Sequence, residues 1–188
     1  MKAPLSLKGR AIALLAQREH SEIELRRKLL RWAGAAAMAS AAKAAGAAAA
    51  GPDFEPDADV AQGTAEHATT QVDALITWLR EHDYLSEARF VDSRVHARAA
   101  RFGNLRIRQE LAQHGLNLPA DAAQALQDNE LQRAAEVWQR KFGRSSALAA
   151  SPAERARQAR FLAARGFSGE VVARVMRRVG RGGEPEDS

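Results

Sequence analysis

A chain of 188 residues with 28 Lys and Arg against 23 Asp and Glu, a net charge of +5 and a pI near 10.2 has room for one or two domains and carries a basic surface. It contains no cysteine, which excludes disulfides, thiolate chemistry and cysteine-type zinc sites. Aromatic residues make up only 5% of it, so a core has to be built from Leu, Val and Ala, and no apolar run reaches the roughly 18 residues of a membrane span.

The apolar periodicity predicts nine helices and no strand. The first runs near Leu7–Arg18, with Ala11, Leu14, Leu15 and Arg18 at helical spacing. The second opens at Ser21, where Ser21-Glu22-Ile23-Glu24 has the form of a capping box, and carries Leu25 and Leu29 on one face. The third opens at a second box, Thr70-Gln71-Val72-Asp73, followed by Val72, Leu75, Ile76 and Leu79 at the i, i+3, i+4, i+7 spacing of a buried face. The fourth follows Ser86 and buries Phe90, Val91, Val95 and Phe102, until Gly103-Asn104 breaks it. The fifth is Leu105–His114, ended by Gly115. The sixth starts at Asn117–Pro119 and is mostly alanine. The seventh carries Leu131, Ala134, Ala135, Trp138 and Phe142. The eighth opens with Ser151-Pro152-Ala153-Glu154, a capping box with proline in its first turn. The ninth follows Ser168 and uses Val171, Val172, Val175 and Val179.

A low-complexity insertion, Ala33–Thr69, interrupts this rhythm. Its first half is nearly all alanine and its second half is acidic, with Asp53, Glu55, Asp57, Asp59 and Glu66. Two readings stand: a coil, whose closure entropy costs only about 2 kcal/mol over a short loop, or an alanine run that extends the second helix, alanine being the best helix former.

One phrase recurs: a leucine, three residues, Gly or Asp, then a large apolar residue. It reads Leu79 to Asp83-Tyr84, Leu111 to Gly115-Leu116 and Leu162 to Gly166-Phe167. Each copy has the form of a last helical turn, its C-terminal break, and an apolar residue folding back onto that turn. The recurrence groups the helices in threes: repeat 1 at 1–82, interrupted by the insertion at 33–69, repeat 2 at 85–128, repeat 3 at 129–179, and a Gly-rich, acidic tail at 180–188. The expected fold is all-α, an elongated, curved stack of three tandem three-helix repeats.

No catalytic constellation is visible: no HExxH, no GxSxG, and no Gly-rich phosphate loop followed by Lys-Ser/Thr. The histidines His20, His67, His82, His96 and His114 show no metal-ligand spacing. Arg18-Glu19-His20 and Arg80-Glu81-His82 both fall at expected helix ends, where histidine interacts with the helix dipole. No enzyme, cofactor or metal is expected. The opening Met1-Lys2-Ala3-Pro4-Leu5 has no long apolar stretch of the secretory kind, and a cytoplasmic location is expected.

The positive signal is arginine. Only five lysines are present (Lys2, Lys8, Lys28, Lys43 and Lys141), which leaves 23 arginines. The basic residues cluster as Arg26, Arg27, Lys28 and Arg31 on the second helix, Arg94, Arg98, Arg101, Arg106 and Arg108 on the fourth and fifth, and Arg155, Arg157, Arg160, Arg165, Arg174, Arg177 and Arg178 on the eighth and ninth. Arg94, Arg98 and Arg101 share one helix face. Such runs are either solvated faces or, on stacked units, a basic stripe for phosphate or for an acidic protein surface. Trp78 and Trp138 lie on apolar stripes and belong to the core; Trp32 ends a basic helix.

The segment Leu14-Leu15-Ala16-Gln17-Arg18-Glu19-His20-Ser21-Glu22-Ile23-Glu24-Leu25-Arg26-Arg27-Lys28-Leu29 closely resembles the opening of the bacterial RecX regulatory proteins. Leu79 through Phe90, with Tyr84-Leu85 and Ala88-Arg89-Phe90, is similar to the next signature. Arg106-Ile107-Arg108-Gln109-Glu110-Leu111 and Arg160-Phe161-Leu162-Ala163-Ala164-Arg165-Gly166-Phe167 match the later ones. The insertion departs from the family pattern in length. The resemblance implies a non-enzymatic, monomeric modulator of RecA. It would bind the RecA filament in its groove or at its end, meet single-stranded DNA there, and suppress filament growth, ATPase and strand exchange, and so affect recombinational repair and the SOS response. The eleven candidate RecA or DNA contacts are Arg26, Arg27, Arg31, Arg94, Arg98, Arg101, Arg106, Arg108, Arg157, Arg160 and Arg165. A helix-turn-helix regulator acting on DNA without RecA, with Arg106 and Arg108 reading bases, is the alternative. A protein-interaction scaffold without DNA contact is a third.

Overall fold

The computed structural model describes residues 5–44, 58–143 and 151–180. Among them the regular structure is helical throughout: α1 (Leu7–Leu15), α2 (Glu22–Ala44), α3 (Ala58–Glu81), α4 (Glu87–Ala99), α5 (Asn104–Ala112), α6 (Ala120–Asp128), α7 (Glu130–Phe142), α8 (Pro152–Ala164) and α9 (Gly169–Gly180). The chain divides into two compact units, Met1–Phe90 and Val91–Ser188, with the division inside α4.

In the first unit α2 and α3 pack along each other and α1 packs on α2. Leu25, Leu29, Val72 and Leu79 are wholly buried between them, joined by Ala11, Ile76 and Leu85. Full burial of each such side chain is worth about 1.5–3 kcal/mol. Ser6 caps α1 by accepting from the Gly9 amide at 3.1 Å, and Ser21 caps α2 by accepting from the Glu24 amide at 3.2 Å.

Two sequence expectations are corrected in this unit, and one open reading is decided. Helix α1 stops at Leu15, not Arg18; the Arg18 side chain turns instead to Glu24 at the start of α2. Thr70 does not open the third helix. Helix α3 begins at Ala58, and Thr69 and Thr70 lie inside it, their hydroxyls donating to the carbonyls of Ala65 at 2.9 Å and Glu66 at 3.0 Å. A threonine inside a helix has this i−4 carbonyl as its local acceptor, so the same residue type serves as cap or as interior according to what precedes it. The insertion, where described, is helix and not coil: α2 runs on to Ala44, and Ala33 and Ala68 pack into the core. Residues 45–57 of the insertion lie outside the described residues, as do 181–188 of the expected tail; Gly180 closes α9.

In the second unit α7, α8 and α9 pack on one another, and α6 packs on both α5 and α7. Ala134, Val137, Trp138, Phe142, Leu162, Phe167, Val172 and Val175 form its apolar centre, and the Trp138 indole N–H donates to Gln158 Oε1 at 3.0 Å. Ser151 and Glu154 form the full capping box of α8, with Pro152 in the first turn.

All three copies of the recurrent phrase are Schellman caps. The amides of Tyr84, Leu116 and Phe167 donate to the carbonyls of Leu79, Leu111 and Leu162 at 2.9, 3.1 and 3.4 Å. Those of Asp83, Gly115 and Gly166 donate to Arg80, Ala112 and Ala163 at 3.1, 2.9 and 2.9 Å. The φ angles of Asp83, Gly115 and Gly166 are 57°, 70° and 82°, the left-handed conformation that glycine adopts freely and aspartate tolerates. The three leucines are wholly buried.

Candidate functional site

In the second unit the α8–α9 turn docks on the start of α5 through its backbone. The Gly103 amide donates to the Arg165 carbonyl at 2.9 Å, and the Leu105 amide to the Gly166 carbonyl at 3.1 Å. The approach leaves no room for side chains: a Cβ on Gly103 would lie 2.2 Å from the Gly166 carbonyl oxygen, and one on Gly166 would lie 2.5 Å from the Arg106 Cβ. The docking therefore brings Arg165, at the end of α8, beside Arg106 and the α4–α5 turn.

Around this junction the arginines lie on aromatic rings. The guanidinium carbons of Arg98, Arg101 and Arg106 stand 5.5, 5.9 and 4.9 Å from the centroid of Phe102, and that of Arg165 stands 3.6 Å from the centroid of Phe161. Phe102 thus lies beyond α4, half-buried beneath cations, and not on the buried face of the fourth helix as its spacing had implied. Glu110 is the carboxylate of this group, with Arg98 Nε at 2.8 Å and Arg106 Nε at 3.5 Å. Arg94, Arg98, Arg106, Gln109, Glu110, Gln113 and His114 line a shallow cavity of about 400 Å³. The Arg165 guanidinium is held below its ordinary value, first by burial and then by the charges of Arg101 and Arg106.

The structure thus gathers five of the eleven candidate arginines: Arg94, Arg98, Arg101, Arg106 and Arg165. Arg108 is exposed on α5, and Arg157 and Arg160 are exposed on α8. In the first unit Arg26 is forked onto Asp73 with bonds of 2.7 and 3.0 Å, while Arg27 and Arg31 are exposed on α2. Trp78 packs half-buried against the apolar core of the first unit, stacked with His82 and Tyr84 at centroid distances of 4.1 and 5.5 Å, with the Lys8 ammonium 3.4 Å from its centroid. Trp32 faces a cavity with Leu5, Arg10, Ala13, Leu14 and Gln17.

His82 sits as expected at a helix C-terminus, its Nδ1–H donating to the Trp78 carbonyl at 2.9 Å. His20 does not. It lies wholly buried just before α2, where Nδ1 is 2.9 Å from the Arg18 carbonyl and Nε2 is 3.1 Å from Lys28 Nζ. The carbonyl can only accept, so Nδ1 carries the proton and Nε2 accepts from the ammonium. Burial is the first cause holding this imidazole below its ordinary 6.5. Beside it, burial pushes the Glu24 carboxyl up, but hydrogen bonds from Arg18 and Lys28 outweigh it and hold the group at about 2.

Sequence reasoning missed Arg133. It is nine-tenths buried and donates to the carbonyls of Ala99 at 3.0 Å, Phe102 at 2.9 Å and Leu126 at 3.0 Å, and to the side chains of Asn104 and Asn129. Glu130, also buried, accepts from the Asn104 amide at 2.9 Å. This node ties the α4–α5 turn that carries Phe102 to the α6–α7 turn. The signal was present: Glu130, Arg133, Ala134, Val137 and Trp138 follow the i, i+3, i+4, i+7, i+8 spacing of a buried stripe, so two charges occupied core positions. Among the described residues no helix is long and apolar enough to cross a membrane.

Helical units with repeated Schellman caps, a backbone-docked junction and arginines gathered at it define a tandem three-helix repeat protein with a basic face. Residues 86–126 match the family model described as RecX, second three-helix domain, and residues 128–176 that described as RecX, third three-helix domain. The chain is 40% identical over 179 residues to the Regulatory protein RecX of Ralstonia nicotianae, covering 93% of this chain and 89% of the relative. It is 42% identical to that of Leptothrix cholodnii (92% and 88% covered) and 37% identical to that of Pseudomonas entomophila (94% and 93% covered). The chain belongs to the RecX family of regulatory proteins.

Proposed function

We propose that this chain is a non-enzymatic regulator of RecA that binds the RecA–single-stranded DNA filament and restrains its growth, ATP hydrolysis and strand exchange. Family membership supports the regulatory role, and the observation that carries the reading further is the gathering of Arg94, Arg98, Arg101, Arg106 and Arg165 on one face of the second unit. A filament on single-stranded DNA offers phosphates and protein together, and a surface of fixed guanidiniums suits either. Arg27, Arg31, Arg108, Arg157 and Arg160, exposed on their helices, are further contacts in this reading; Arg26, committed to Asp73, is a weaker one.

The measurement is DNA-dependent ATP hydrolysis by RecA, with filament length followed by electron microscopy. Both are expected to fall at substoichiometric amounts of this protein. Unchanged hydrolysis and length at equimolar protein would refute the proposal.

A further inference from the structure

We propose that Arg101, Arg106 and Arg165, gathered where the α4–α5 and α8–α9 turns dock, form a clamp for the phosphodiester backbone of single-stranded nucleic acid, and that this clamp holds a strand without RecA. The inference rests on the regulatory reading only for the kind of nucleic acid it meets. Its geometry is independent of that reading.

Two backbone hydrogen bonds, Gly103 to Arg165 and Leu105 to Gly166, join the two turns, and the glycines at the contact let their backbones approach this closely. The guanidiniums lie near the rings of Phe102 and Phe161, a cation–π placement that holds them on this surface. Like charges are thereby held close with one carboxylate, Glu110, which is shared between Arg106 and Arg98 at the longer and shorter distances of 3.5 and 2.8 Å. In the first unit, by contrast, the Arg26 fork is matched by both carboxylate oxygens of Asp73. Three convergent cations exceed that need and suit an acceptor with several oxygens and a repeated charge, which a phosphodiester strand provides at every nucleotide. Guanidiniums bonded to phosphate oxygens read no base edge, so contact is to the backbone and independent of sequence.

The experiment is fluorescence anisotropy of a labelled oligothymidylate with the full chain, over a series of salt concentrations, with no RecA present. Arg101→Gln and Arg165→Gln are each expected to weaken binding about tenfold and to flatten the salt slope by about 0.7, as for one lost phosphate contact on a single strand. A mixed-sequence oligomer should bind as well as oligothymidylate. Arg177→Gln, an exposed position of α9, should leave the slope unchanged. Arg101 is exposed, beside the Phe102 ring, so its variant reads the clamp even if Arg165→Gln unfolds, which far-UV circular dichroism would detect. The clamp is refuted if neither variant alters the slope, or if Arg177→Gln alters it equally. If the wild-type chain fails to bind the oligomer yet still inhibits RecA, and Arg101→Gln lowers that inhibition, the cluster faces an acidic protein surface; the clamp then fails while the regulatory reading stands.

Discussion

At the scale of single residues the most consequential group is the buried set around Glu24. Its carboxyl sits at about 2 in the folded chain against an ordinary 4.5, so between those values the unfolded chain binds the proton and the folded chain does not. Stability from Glu24 is therefore full above about pH 4.5 and is lost as pH falls through about 2. His20 acts in the same direction: it is lowered, so from pH 6.5 down to its folded value the unfolded chain alone takes up a proton, and stability again falls with pH. The melting temperature is expected to decline continuously from pH 7 to pH 3. Glu24→Gln should flatten the acid part of that profile while lowering the melting temperature at pH 7, since Arg18 and Lys28 lose their shared partner. A profile of equal slope in the variant would count against the assignment. None of this was legible in the sequence. Arg18-Glu19-His20 copies the pattern of Arg80-Glu81-His82, yet only His82 ends a helix, because α1 stops early and the chain returns to bury His20.

Elements show the opposite balance. Helical periodicity and the three leucine-led caps were readable, because a Schellman cap is closed within six residues and needs nothing from elsewhere in the chain. Glycines separate what is local from what is not. Gly34, inside α2, has no atom within 4 Å of where a Cβ would stand, so Gly34→Ala should stabilise the chain by about 0.5–1 kcal/mol. Gly166 combines a φ of 82° with an Arg106 backbone nitrogen 2.6 Å from the added carbon, so Gly166→Ala should destabilise by about 2–5 kcal/mol. Urea denaturation midpoints would show the two variants moving in opposite directions; movement in one direction would contradict the reading. The start of α3 was misplaced for a related reason. Thr70-Gln71-Val72-Asp73 has the composition of a cap, but the upstream stretch from Ala58 also favours helix, and a cap forms only where the preceding residues leave the helix.

Over the whole molecule, two compact units each hold their own apolar centre, and the second also carries a buried polar node. Arg133→Ala would take the donor from the half-buried Ala99 and Phe102 carbonyls, leave the Leu126 carbonyl to Asn104 Nδ2 alone and leave Glu130 without its cationic neighbour, an expected loss of about 3–5 kcal/mol. Hydrogen exchange should show that loss in the amides of α5, α6 and α7, with the α2–α3 pair as internal reference; undiminished protection in α5–α7 would mean the node is not structural. The sequence by itself determined the all-α class, the order of helices among the described residues, the repeated caps and the family, since these rest on spacings of a few residues. Only the tertiary structure decided which arginines converge. Arg101 and Arg165 are remote in the chain, and their meeting depends on two glycines that let one turn lie against another. It also decided that Arg133 and Glu130 enter the core, because a charge at a core position is admissible only when distant backbone groups satisfy it.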